Sequence, residues 1–243
     1  MPRFDLHGRR AVLLLVGTLA IALLAGCTAA PATVEAQRVQ GLYNLFLIAA
    51  AGVFVIVAGL IGWNILRYRE KDGEDGLPSQ THTNIALELT WWALPTLLVI
   101  GLFAVSAVVL NTNDARVADP AVRVKVEGFQ WQWRFTYTDA DVVITGTQAA
   151  YPELVLPVNE VVDFQLVSDD VIHSFYIPHF LVKRDLIPGV DNHLQLTIDE
   201  PGTYSGQCAE FCGLYHDQMH FSIRAVSQAD FEAWLAGQPR SAP

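Results

Sequence analysis

Charge is scarce in this chain. Only 16% of its 243 residues are Asp, Glu, Lys or Arg, where a soluble globular domain carries about 25%. Hydrophobic residues make up 52%. That excludes a disordered chain and disfavours a purely water-facing one. Bases are scarcer still, 15 against 25 acids, for a formal charge of −10. Without a basic excess to neutralise phosphates, nucleic acid is excluded as the main partner. The 3 cysteines are too few for a disulfide framework. Of the 2 methionines, one is the initiator and the other is Met219. There is no internal repeat and no low-complexity tract. The charge that exists is unevenly placed. Residues 1–110 hold seven acids and seven bases, whereas residues 111–243 hold eighteen acids and eight bases. The split suggests a membrane half and an acidic, water-facing half.

The N-terminus reads as an export signal. Arg3, Arg9 and Arg10 precede an apolar stretch over residues 11–25, the order of an n-region and an h-region. Leu24-Ala25-Gly26-Cys27 resembles the bacterial lipoprotein cleavage box. Residues 1–26 are then a lipoprotein signal peptide, Cys27 the lipidated residue, and 27–40 an exported segment. The plainer alternative is an ordinary signal peptide with an incidental cysteine. A transmembrane helical hairpin follows over 41–111, with spans at about 42–66 and 85–110. Each apolar run is long enough to cross a ~30 Å hydrocarbon layer as a helix. Trp63, Trp91 and Trp92 sit near the ends that face the short connection, where aromatic belts lie. Arg67, Arg69 and Lys71 fall in that connection, which the positive-inside rule places in the cytoplasm. Both ends of the mature chain then face the outer, periplasmic side of a bacterial plasma membrane. Glu88 stands about one turn inside the second run. A carboxylate there is either functional or an interfacial acid reaching water.

From residue 120 the hydrophobic period changes to two. Val122, Val124 and Val126 alternate with Arg123, Lys125 and Glu127. Further strand-like runs cover 131–137, 161–167, 171–177, 193–198 and 221–226. Short strands at this spacing predict a β-sandwich or barrel over 112–243. A short helix over 228–235, capped by Ser227, is expected to close it.

One stretch carries chemistry. Gly206-Gln207-Cys208-Ala209-Glu210-Phe211-Cys212-Gly213-Leu214-Tyr215-His216-Asp217-Gln218-Met219 holds two cysteines, a histidine and the internal methionine. Thiolate, imidazole and thioether together select copper. His173, on an earlier strand, completes such a set. One thiolate with two imidazoles and a weak methionine makes a mononuclear blue-copper site. Two thiolates four residues apart can instead bridge two copper ions, with His173 and Met219 on one and His216 and a backbone carbonyl on the other. A C-x3-C pair alone also fits a disulfide, half of a zinc site or a redox pair. His179, His193 and His220 are read as ordinary hydrogen-bonded or surface residues.

With these residues quoted, the chain resembles subunit II of bacterial haem–copper cytochrome c oxidases. The resemblance covers nearly everything after Pro31. It rests on the two spans, the metal loop, Ser168-Asp169-Asp170-Val171-Ile172-His173-Ser174-Phe175, Lys183-Arg184-Asp185-Leu186-Ile187-Pro188-Gly189 and Gly128-Phe129-Gln130-Trp131-Gln132-Trp133. The resemblance implies a membrane-anchored all-β fold, a two-helix hairpin followed by a cupredoxin-like Greek-key domain. It implies a dinuclear copper centre, CuA, held by His173, Cys208, Cys212, His216, Met219 and the carbonyl of Glu210. It implies a Mg²⁺ shared with subunit I through the Glu210 carboxylate. Trp131 matches the exposed aromatic at which electrons arrive from cytochrome c. Gln130, Asp169, Asp170 and Asp185 match its docking surface, and Glu88 matches the mouth of a proton path into subunit I. Implied partners are subunits I and III, cytochrome c and the membrane. Implied activity is passage of electrons from cytochrome c to the haem of subunit I, for reduction of O2 to water coupled to proton pumping.

The chain departs from that pattern at Ala209, where Ser is common, and at Tyr215, where Asn is common. It carries no C-x-x-C-H, so the expected electron donor is a separate protein. Quinol-oxidase subunits of the same fold lack the copper ligands that are all present here. A thioredoxin-fold copper chaperone would have one span, a proline after the second cysteine and alternating strands and helices. A soluble copper reductase would have no spans.

Overall fold

The computed structural model describes residues 30–69, 80–147 and 149–240. The expected signal peptide, Cys27 and Lys71 lie outside the described residues. Two long helices come first, α1 (Val34–Arg67) and α2 (Ile85–Asp114). Both are apolar on every side, and Phe54, Leu66, Leu97 and Phe103 are exposed. A helix hydrophobic all round needs an apolar surrounding. The most apolar windows reach mean hydropathies of 2.7 and 2.5, so both helices are long and apolar enough to cross a bilayer, and no other described residue buries those windows.

The first helix begins well before its apolar run. Residues 34–40 were expected in a polar exported segment, yet they are helical. Thr33 caps them, its Oγ1 accepting from Ala36 N at 3.0 Å. The segment is also packed into the domain. Ala32, Thr33 and Ala36 are buried. Ala32 N donates to His179 O at 3.0 Å, Asp199 N donates to Ala32 O at 3.2 Å, and Thr197 N donates to Glu35 Oε2 at 3.1 Å. The C-terminal end of α2 is tied down as well: Arg184 Nη2 donates to Asp114 Oδ1 at 2.7 Å. The hairpin therefore meets the domain through directed bonds at both ends.

Ten strands follow: β1 (Val122–Phe129), β2 (Gln132–Tyr137), β3 (Val142–Thr145), β4 (Glu153–Pro157), β5 (Val161–Ser168), β6 (His173–Ile177), β7 (Val182–Leu186), β8 (Asn192–Thr197), β9 (Gly202–Cys208) and β10 (His220–Val226). They form two five-stranded sheets, ordered β3-β2-β1-β5-β8 and β4-β10-β9-β6-β7. Pairing is antiparallel except for β1 with β5 and β10 with β4. The result is the two-sheet sandwich that the alternation predicted. Val124, Val126, Trp133, Phe135, Phe164 and Leu166 of one sheet are buried, as are Phe175, Ile177, Phe221 and Ile223 of the other. Phe175 and Phe221 stack at 4.7 Å with their rings 6° apart, and Trp133 meets Phe221 edge-on at 5.2 Å. Full burial of each such side chain contributes about 1.5–3 kcal/mol. Helix α3 (Gln228–Ala236) closes the sandwich, with the Ser227 hydroxyl accepting from Asp230 N at 3.2 Å as expected.

Strands β3, β4, β7 and β9 were not marked by the alternation. β9 reads Gly-Thr-Tyr-Ser-Gly-Gln-Cys, poor in strand formers. It is extended because β10 and β6 pair with it on either side; context outweighs propensity.

Candidate metal centre

The chemistry-bearing loop hangs between β9 and β10. β9 ends at Cys208, and His220 opens β10. The loop closes like a hairpin, Cys208 N donating to Met219 O at 2.9 Å. β6 lies alongside, with Phe175 opposite Cys208, and Ala209 N donates to Ser174 O at 3.1 Å. This pairing carries His173 to the loop across thirty-five residues of sequence. Two glycines permit the path. A Cβ on Gly206 would lie 2.1 Å from Phe221 Cζ, so the strand crosses the ring only as glycine. Gly213 has φ +120, a backbone region that side chains with a Cβ rarely adopt.

The donor atoms converge. Cys208 Sγ and Cys212 Sγ lie 3.9 Å apart. Cys208 Sγ is 3.9 Å from His173 Nδ1 and 3.3 Å from Glu210 O. Cys212 Sγ is 3.5 Å from His216 Nδ1 and 3.9 Å from Met219 Sδ. His173, Cys208 and Cys212 each offer a ligand atom within 4.8 Å of the others, and all three are buried. Both cysteines are free thiols, which sets the disulfide alternative aside in this structure. The donor set suits a soft metal.

The protonation of these groups is mutually arranged. Burial raises the Cys208 thiol, but hydrogen bonds from His173 and the backbone outweigh it and bring the pKa to about 7. Cys212 is pushed up to about 12, by burial and by the negative charge on Cys208. Burial lowers His173, yet its bonds to Cys208 and Asp170 leave it raised. Metal binding must therefore displace protons from this cluster.

A second ring of residues holds the first. Asp170 Oδ1 lies 2.8 Å from His173 Nε2, and Asp170 Oδ2 accepts from Gln130 N at 2.6 Å. These bonds hold the Asp170 carboxyl below its ordinary value, although burial raises it. Asp170 was expected on a docking surface; it is exposed, and its Oδ1 also meets the ligand histidine. Trp131 was expected to be exposed. It is half-buried, edge-on to Tyr215 at 5.0 Å, and its Nε1 donates to Cys212 O at 3.1 Å. Gln130 Nε2 donates to the same carbonyl at 2.8 Å. Trp133 is fully buried beneath the loop and donates to Met219 O at 3.3 Å. Sequence reasoning assigned it no role; its place in a G-x-Q-W-x-W segment two residues from Trp131 was the available signal. Asp169 is exposed, and Asp185 faces Lys183 at 3.5 Å. The Glu210 carboxylate is also paired with Lys183, at 2.9 Å. Glu88 lies far from this cluster in sequence, in the first turn of α2, where its Oε1 accepts from Asn84 N at 3.2 Å.

Comparison with known proteins decides the family. Residues 26–109 match the model of the cytochrome c oxidase subunit II transmembrane domain, and residues 148–226 that of its periplasmic domain. A probable cytochrome c oxidase subunit 2 of Nocardia farcinica is 32% identical, over 84% of this chain and 71% of that protein. The chain belongs to the cytochrome c oxidase subunit II family. Subunit 2 from Alkalihalophilus pseudofirmus is 36% identical over 84% of this chain, which spans 59% of that relative's length. Among solved structures, the periplasmic domain of subunit II of the cytochrome oxidase of Bradyrhizobium japonicum is 33% identical, with a TM-score of 0.47, covering 51% of this chain and 96% of that one. As a subunit II protein, the chain is a membrane-anchored part of an oxidoreductase complex. Its His173, Cys208 and Cys212 form a group able to hold copper.

Proposed function

We propose that this chain is the electron-accepting subunit of its oxidase. Electrons from cytochrome c reach a dinuclear copper centre, CuA, and pass to the haem of subunit I for reduction of O2 coupled to proton pumping. One observation carries the reading: the two thiols stand 3.9 Å apart, with an imidazole near each, a thioether beside one and a backbone carbonyl beside the other. His173, Cys208, Cys212, His216, Met219 and the Glu210 carbonyl would hold the metal. Bound there, copper would supply a one-electron carrier.

The chain's own residues prepare that site. Burial of His173, Cys208, Cys212 and Met219 excludes water and fixes the donors before metal arrives. The Trp131 indole, bonded to the Cys212 carbonyl, joins the surface to a thiolate-bearing residue. Gln130, Asp169 and Asp185 belong to the docking surface for cytochrome c, and Asp170 adds charge behind them. Glu88 serves the mouth of a proton path into subunit I. The Glu210 carboxylate would take the shared Mg²⁺ on exchanging Lys183 for it. The domain and both mature termini face the periplasm, Cys27 carries lipid, and subunits I and III are the membrane neighbours.

Copper loading of the full chain in detergent tests the reading. The expected result is two copper ions per chain and an EPR hyperfine pattern of one electron shared by two nuclei. Cys212→Ser should abolish that pattern, because one of the two thiolates that would hold the pair together is gone. One copper per chain with a single-nucleus pattern refutes the dinuclear assignment.

A further inference from the structure

We propose that Asp170 is a positioning residue of the metal centre: its carboxylate orients the His173 ring so that Nδ1 faces the thiolates, and ties that ring to the segment bearing Trp131. The inference rests on the copper reading above and assigns a role beyond the ligands themselves.

His173 is fully buried and has two ring nitrogens to satisfy. Nδ1 faces Cys208 Sγ at 3.9 Å, and Nε2 meets Asp170 Oδ1 at 2.8 Å. An ionised carboxylate only accepts, so the proton of a neutral imidazole sits on Nε2. The lone pair on Nδ1 is then left for metal. A carboxylate behind a ligand histidine also makes the imidazole a stronger donor. Gly128 backs the arrangement: a Cβ there would lie 3.1 Å from His173 Cβ and Cγ, so the ring has little room to turn away.

Asp170 is itself held on several sides. Its Oδ1 accepts from Val171 N at 2.6 Å and from the Ser168 hydroxyl at 3.3 Å, and its Oδ2 accepts from Gln130 N at 2.6 Å. Its side chain is only 30% exposed. Swinging out to meet a docking protein would break these bonds together. The bond to Gln130 N matters for function, because the next residue is Trp131, whose indole reaches the Cys212 carbonyl. One carboxylate thus fixes a ligand ring and the backbone beside the residue where electrons arrive. Its neighbour Asp169 is exposed and belongs to the docking surface proposed above.

The test uses the full chain in detergent, loaded with copper, as wild type, Asp170→Asn, Asp170→Ala and Asp169→Asn. Competition with a chelator should show Asp170→Ala binding copper about 10- to 100-fold more weakly, the usual cost of losing such a partner. Asp170→Asn keeps an acceptor of the same shape, so it should bind more tightly than Asp170→Ala. Its reduction potential should be higher than wild type, because the carboxylate favours the more positive, oxidised metal. The His173 nitrogen hyperfine coupling should change with it. Asp169→Asn should match wild type in all three. If Asp170→Ala does not fold, Asp170→Asn still decides. A folded Asp170→Asn chain with wild-type affinity, potential and hyperfine coupling overturns this inference alone. A wild-type chain that takes up no copper pair overturns the functional reading and this inference with it.

Discussion

Gly213→Ala separates the backbone of the metal loop from its side chains. Gly213 has φ +120, and an added Cβ would stand 3.1 Å from Trp131 Nε1 and 3.2 Å from Gln130 Nε2. Two costs follow. A residue with a Cβ held in that backbone region costs about 1–3 kcal/mol. If the loop relaxes to avoid the strain, recovering the metal-binding conformation weakens copper binding by roughly 5- to 140-fold, at 1.4 kcal/mol per factor of ten. The Cβ also presses on the two groups that donate to the Cys212 carbonyl. Trp131 must move by a few tenths of an ångström, so reduction by cytochrome c should slow as well. Chelator competition measures the first effect, and stopped-flow reduction of copper-saturated chain the second. Gly189→Ala is the control. Gly189 has φ +78 with open space around its missing side chain and lies outside the metal loop. That variant should lose stability but keep its copper affinity. A folded Gly213→Ala chain with wild-type copper affinity would refute the backbone argument. Weakened affinity with unchanged reduction rate would refute the contact with Trp131.

Other expectations follow from the same packing. Gly206→Ala sets a methyl 2.1–2.7 Å from three atoms of the Phe221 ring; overpacking of about 1–3 kcal/mol should lower the melting temperature, and an unchanged or raised value contradicts it. The Tyr137 hydroxyl donates to Val155 O at 2.8 Å and accepts from Val155 N at 2.9 Å, so Tyr137→Phe orphans two buried groups and should cost about 1–3 kcal/mol. Burial holds the Tyr137 pKa well above its ordinary value of 10.0. Its protonated form is favoured in the fold, so that stability is present below about pH 10 and is lost as pH rises beyond it. Denaturant midpoints of Tyr137→Phe should fall less steeply than wild type across that range. Asp169→Asn should flatten the salt dependence of association with a basic cytochrome c between 0.01 and 0.1 M, where the Debye length shrinks from ~30 to ~10 Å. Trp131→Ala should leave that dependence intact and slow transfer within the complex; identical behaviour of the two would end the division of roles. Glu88→Gln keeps an acceptor for Asn84 N while removing the charge. It should slow turnover of the assembled oxidase without changing reduction of copper, and normal turnover would leave Glu88 as a helix-capping acid.

What the sequence determined by itself is whatever depends on local pattern. Two apolar runs predict two spanning helices because every residue of such a run must find an apolar surrounding. Alternation in 122–126 predicts which faces turn inward, because successive side chains of a strand point oppositely. The donor set is legible because two cysteines, a histidine and a methionine fall within twelve residues, and their chemistry does not wait on the fold. What the tertiary structure decided is everything that depends on distant elements meeting. β9 is a strand through its neighbours and against its composition. Helix α1 starts at Val34 because Ala32 and Thr33 are buried against the turn after β6 and the end of β8, which no hydropathy window registers. The sequence names His173 but not the nitrogen it presents; that follows from Asp170 on one side of the ring and Cys208 on the other. In sequence Asp169 and Asp170 are indistinguishable neighbours. Only the fold turns one carboxylate to water and the other to a buried ring, since the direction of a side chain is set by what packs around it.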